Sequence, residues 1–178
     1  MELHALLGSA SIEPPYVLVA HSYGGFIARL FALAYPDETV GLILIESSHE
    51  DEMDAYRRFY GEDPGGDWVD GGDLLDMDST DDALREARNY GDVPLAVIRA
   101  ERYEDVLGEA LWRQTQADLP TLSSNAIYVE ALGSGHFVMD DNPDVVVAAV
   151  RAVVDAARAD ASLPSCEDVV VTLRARCL

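Results

Sequence analysis

The chain has 178 residues, 49% of them hydrophobic, enough for one domain with a real core and short for two. Thirty-three acidic residues stand against twelve basic ones, all arginine, for a formal net charge of −21; such a field repels phosphate backbones and anionic bilayers, so neither nucleic acid nor membrane is an expected partner. No apolar run reaches the roughly 18 residues of a membrane span, and Met1–Ser11 lacks the positive flank of a signal peptide.

Residues 3–10 read as the end of a helix, followed by the turn SIEPP. Tyr16–Ala20 is a continuous apolar run of strand length, the pattern of a strand covered on both faces. Phe26, Ile27, Leu30, Phe31 and Ala34 then recur at helical spacing until Pro36 stops them. VGLILIE, ending at Glu46, is a second buried strand. Residues 47–92 are dense in Asp and Gly and too long for an ordinary loop; Tyr56, Phe59, Tyr60 and Trp68 give them something to pack, and they read as a partly helical cap over the sheet. Val93–Ala100 is a third strand, Leu107, Leu111, Thr115, Leu119 and Leu122 mark a helix, and Asn125–Leu132 is a fourth strand. Asn142 as cap and Pro143 at the first helical position open a long last helix. Strands alternating with helices predict an α/β domain over residues 1–178, with a parallel sheet of about four strands, a cap insertion at 47–92 and a C-terminal tail at 161–178.

Cys166 and Cys177 both lie in that tail, where they either pair or stay free thiols; their spacing fits no zinc motif. We expect a reduced, cytoplasmic setting, with a mature secreted form as the alternative. The acidity fits a solvated surface from a GC-rich or salt-adapted source; a charged mouth that selects cationic or neutral substrates is the functional alternative. DLLDMDSTDD offers closely spaced oxygens for calcium, but Asp81 occupies the position that needs Gly in an EF-hand loop beginning at Asp76. No metal is expected.

The chemistry centres on Ala20-His21-Ser22-Tyr23-Gly24-Gly25, where an apolar strand ends and a helix begins. A nucleophile elbow needs such a junction, with small residues two before and two after the nucleophile; Ala20 and Gly24 meet that demand, and Gly25 lets the helix pack close. The Tyr23 N–H would point at a developing oxyanion, helped by the positive end of the helix. An ordinary strand-Gly-helix junction is the plain alternative. A serine needs a base. Of His4, His21, His49 and His136, the last lies in GSGHF, on a loop that follows the fourth strand. His21 is expected to face away from Ser22, and His49 opens the cap. The third member is a carboxylate that orients the imidazole. Glu46, Glu101, Glu104 and Asp105 all follow strands; Glu46 ends a buried one, where a charge is costly without a partner such as His136.

PPYVLVAHSYGGFIARLFALAYPDETVGLILIESSHED and LGSGHFVMDDNPDVVVAAVRAVV resemble the α/β-hydrolase fold, in particular its single-domain esterase-like members with an inserted cap. The resemblance runs to about Arg158. It implies Ser22 as nucleophile, His136 as base, a small-molecule ester or related acyl substrate, and no cofactor. The family most often takes its acid just after the strand that matches Val93–Ala100, but Tyr103 occupies that position here. Some members place the acid at the end of the preceding strand, which selects Glu46, with Glu104 or Asp105 as alternatives. The family sheet also has strands before the elbow strand, and a loop there supplies a second oxyanion donor, whose loss costs ~10²- to 10³-fold in rate. This chain starts at the helix just before the elbow. Only the C-terminal half of the family sheet is therefore expected, with Tyr16–Ala20 as an exposed edge prone to self-association. A non-catalytic remnant or interaction module is the alternative to an enzyme.

Overall fold

The computed structural model describes residues 2–60, 69–70, 73–74, 77–103 and 106–178. In chain order its elements are α1 (Glu2–Ser9), β1 (Tyr16–His21), α2 (Gly24–Ala34), β2 (Thr39–Ile45), α3 (Glu52–Tyr60), β3 (Val69–Asp70), β4 (Asp73–Leu74), α4 (Met77–Glu86), β5 (Leu95–Ala100), α5 (Val106–Asp118), β6 (Ala126–Ala131), α6 (Val138–Asp141), α7 (Pro143–Ala159), α8 (Cys166–Val170) and β7 (Ala175–Cys177). Short 3₁₀ turns cover Pro36–Glu38 and Leu119–Leu122.

The main sheet has the order β1-β2-β5-β6-β7, and its first four strands are parallel. The runs without a polar face, β2 and β5, lie in the middle and are buried almost throughout. Alternation divides their side chains between two layers. Ile43, Ile45, Ala96 and Ile98 meet Val145, Ala149 and Val153, which share one face of α7. Leu42, Leu44, Leu95 and Val97 meet Ala28 and Ala32 of α2 together with Leu119 and Leu122. The expected α/β class is thus the observed one: a mostly parallel sheet flanked by helices.

Two features differ from the sequence-based expectation, and an open alternative is decided. The sheet has five strands rather than four, because β7 pairs antiparallel with β6, Val129 opposite Cys177. That strand lies in the segment expected to be a tail, which also holds α8. Cys166 and Cys177 form a disulfide that ties α8 to β7, the first of the two states left open. Asn142 precedes α7 but does not cap it with its side chain. Its amide instead donates to the carbonyls of Leu132 and Arg174 (3.3 and 2.8 Å) and so fastens the loop after β6.

Within 47–92, α3 packs on α5 and α4 on α2. Buried Arg29 of α2 and Arg88 both pair with Glu50, at 2.7 and 2.6 Å. Trp68, and the side chains of Tyr56, Phe59 and Tyr60, lie outside the described residues, as does part of the acidic run DLLDMDSTDD weighed against the calcium-loop template. No described helix is long and apolar enough to cross a membrane.

Candidate active site

Ser22 and Glu46 occupy equivalent places, each following the last residue of a parallel strand. His21 is in register with Ile45, and Ile45 with Ile98. Each residue keeps one more ladder bond before the chain turns: Ser22 N–H donates to Ile45 O (3.1 Å) and Glu46 N–H to Ile98 O (2.8 Å). Each then adopts a left-handed conformation, with φ 54° at Ser22 and 45° at Glu46. For residues other than glycine this costs about 1–3 kcal/mol, and strain of this kind gathers at functional sites.

The turn after Ser22 is closed by Gly25 N–H and Ser48 N–H, both donating to Ser22 O at 3.0 Å. A Cβ at Gly25 would lie 1.8 Å from Ser47 Oγ, whereas one at Gly24 would meet only Ala20 Cβ at 3.8 Å. The steric demand therefore falls on Gly25, against the segment that follows β2, rather than on Gly24. Tyr23 sits at the N-cap of α2, and its N–H is taken by no backbone acceptor among the described residues.

The Glu46 side chain is fully buried and its two oxygens are used differently. Oε1 accepts Ala100 N–H (2.7 Å) and Tyr103 O–H (2.8 Å). Oε2 lies 3.3 Å from His136 Nδ1. A carboxylate only accepts, so this contact places the proton on Nδ1 and leaves Nε2 with its lone pair. Burial, the charge of Glu46 and the bond to it hold the Tyr103 phenol well above its usual range, so Tyr103 remains a neutral donor. His136 itself is partly open to solvent. Among the described residues neither its Nε2 nor Ser22 Oγ has a hydrogen-bond partner.

The loop that carries His136 is fixed from several sides. Gly133, with φ 76°, donates its N–H to Glu101 Oε2 at 2.7 Å. Gly135 N–H donates to Asp141 Oδ2 at 2.8 Å, and His21 Nε2 lies 2.8 Å from the carbonyl of His136. The structure thus brings together the end of β1, the end of β2 and the loop after β6. The alternative acids Glu104 and Asp105 lie outside the described residues. His49 is buried and engaged elsewhere, with Nε2 on Asp118 (2.9 Å) and Nδ1 accepting Asp51 N–H (3.0 Å). His4 stacks on Tyr35 and pairs with Glu38.

Sequence reasoning missed three neighbours. Tyr103 was visible only as the residue in place of an expected Asp. His21 turns its ring onto that of His136, with centroids 4.5 Å apart. Trp112 of α5 meets His136 edge-on at 5.9 Å, and nothing in its helical pattern signals that contact. Glu52 completes the surroundings. Burial pushes its carboxyl up to about 7, against bonds from His49 N–H and the Ser48 hydroxyl and with Asp81 near it.

A protein of Bacillus subtilis (strain 168) described as uncharacterized protein YqjL is 28% identical over 155 residues, 84% of this chain and 60% of that protein. The chain therefore spans about 60% of the length of this curated relative. Among solved structures, a thermophilic esterase from Thermogutta terrifontis superposes with a TM-score of 0.61 at 17% identity, over 87% of this chain and 70% of that one. An alpha/beta hydrolase enzyme from the sediment metagenome of the Mar Chica lagoon does so with a TM-score of 0.56 at 15% identity, over 89% and 68%. These two share the fold. The profile of the alpha/beta hydrolase family matches residues 2–149, more than half of the sequence, and the chain belongs to that family.

Proposed function

We propose that the chain carries a serine-hydrolase site for carboxylic esters or related small acyl compounds, with Ser22 as nucleophile, His136 as base and Glu46 as the orienting acid. Family membership supports hydrolysis in broad terms. The observation that carries the finer reading is the contact between buried Glu46 and His136 Nδ1, beside a serine held in a left-handed turn. In the first step Ser22 Oγ attacks the acyl carbon while His136 Nε2 takes its proton, and Glu46 stabilises the imidazolium that forms. The Tyr23 N–H and the amino end of α2 support the negative oxygen. His136 then returns the proton to the departing alkoxide, leaving an acyl-serine. Water, deprotonated by His136, attacks that ester; the collapse releases the carboxylic acid and restores Ser22.

The test is hydrolysis of p-nitrophenyl acetate together with labelling by a fluorophosphonate probe. Ser22→Ala is expected to abolish labelling and to reduce turnover by at least about 10³-fold. Labelling that survives Ser22→Ala would remove the assignment. A second reading, self-association through β1, is favoured by the position of β1 at the rim of the sheet and by Val19 on it, 51% exposed.

A further inference from the structure

The parallel strands place Ser22 and His136 far apart at their roots. Their loops leave β1 and β6, with β2 and β5 between them. At about 4.8 Å per strand, the two strands lie roughly 14 Å apart. Glu46, after β2, lies part of the way across, and the loop after β6 must cover the remaining distance.

Most ties on that loop come from its own side of the sheet. Gly133 N–H is held by Glu101, Ser134 O accepts Arg102 N–H (3.0 Å), and Gly135 N–H is held by Asp141. The tie from the nucleophile strand comes from His21, the last residue of β1 and the immediate neighbour of Ser22. Its Nε2 lies 2.8 Å from the carbonyl of His136. A carbonyl only accepts, so His21 Nε2 carries the hydrogen and donates. Its ring also backs the His136 ring at 4.5 Å and Phe137 at 5.5 Å. His136 is therefore held twice, by its carbonyl from β1 and by Nδ1 from Glu46.

We propose that His21 is a positioning residue for His136, fastening the loop after β6 to the strand that ends in the nucleophile. This rests on the reading of Ser22, His136 and Glu46 given above. The donor function and the ring can be separated. His21→Gln keeps an amide N–H near the place of Nε2–H, His21→Phe keeps a ring without a donor, and His21→Ala has neither.

The experiment measures p-nitrophenyl acetate turnover per serine titrated with fluorophosphonate, with thermal unfolding of each variant as a control for folding. Displacing a catalytic group by about 1 Å costs on the order of 10²-fold. We expect His21→Phe and His21→Ala to lose ten- to a hundredfold in kcat with KM little changed, and His21→Gln to recover most of it. Ring ¹⁵N shifts of His136 give a readout independent of turnover: the Nδ1–H tautomer in the wild type, and a mixture of tautomers in His21→Phe. Wild-type kcat per titrated serine in His21→Phe, or unchanged His136 shifts, would overturn the proposal even if stability falls. His136→Asn separates the two levels. Wild-type turnover in that variant would remove the base reading itself, whereas a dead His136→Asn beside a normal His21→Phe would remove only the role of His21.

Discussion

At the scale of single residues, the proposed site turns on how Glu46 divides its two oxygens. Ala100 N–H and Tyr103 O–H fix Oε1, so Oε2 is aimed at His136 with little freedom. Glu46→Gln preserves shape but turns one oxygen into an NH₂ group. If that group faces His136, Nδ1 must accept rather than donate, and the proton moves to Nε2, where a base needs its lone pair. On the proposed assignment Glu46→Gln is expected to lower kcat by about 10²- to 10⁴-fold, as loss of the correct tautomer does in Ser-His-Asp triads, and Glu104→Gln to leave it nearly unchanged. The reverse result in p-nitrophenyl acetate kinetics would move the acid to the loop after β5. Ser22 and His136 were legible as candidates because each lies in a local pattern, small residues around a strand-to-helix junction and glycines around a loop histidine. Glu46 was legible as a carboxylate ending an apolar run. His21 and Tyr103 were not, because their partners lie 115 and 57 positions away in sequence and depend on strand order.

At the scale of elements, the four parallel strands and α7 were readable because their burial imposes unbroken apolar runs or a helical period. β7 was not: three residues, one exposed, carry no period, and the bridge from Cys177 to Cys166 helps hold them. Nor did the sequence indicate how α3 and α4 are held on the domain. Arg29 and Glu50 are both fully buried, with Arg88 on the second oxygen of Glu50 and Asp118 joining Arg88 to His49. Burial pushes the Glu50 carboxyl up, but the charges of Arg29 and His49 and its hydrogen bonds outweigh that and hold it below the usual range. A group lowered in the folded state contributes stability above its unfolded pKa and loses it as pH falls through the folded value. Glu52, raised to about 7, has the opposite sign: its contribution is full below about 4.5 and is lost as pH rises through 7. These two groups together are expected to place greatest stability in urea unfolding near pH 4.5, with a decline between about pH 4.5 and 7 that is flattened in Glu52→Gln. Glu50→Gln leaves buried Arg29 without its counter-charge and should cost about 3–5 kcal/mol at pH 7 in the same measurement. A change under 1 kcal/mol would mean that Arg29 finds solvent or another partner.

At the scale of the whole molecule, two features oppose each other. β1 forms one rim of the sheet, and Val19 on it and Ile27 on α2 are 51% and 45% exposed. A rim of this kind offers backbone donors and acceptors to a second copy. Against it stands a net charge of −21, which makes every encounter between two chains repulsive. Salt decides between them, since screening shortens the repulsion from roughly 30 Å at about 0.01 M to roughly 3 Å at about 1 M while leaving strand pairing and apolar contact in place. Sedimentation velocity should therefore show a monomer at low ionic strength and an association that grows with salt. Association by salt-bridge exchange would follow the opposite trend, because screening weakens it. Val19→Glu adds a charge at the centre of the rim, so it should suppress the high-salt association and leave p-nitrophenyl acetate turnover per titrated serine nearly unchanged. A monomer at every ionic strength would mean that the rim is already protected by its own twist and short length. In that case the edge along β1 has no bearing on how the chain associates, and the proposed site after the ends of β1 and β2 does not depend on a second copy.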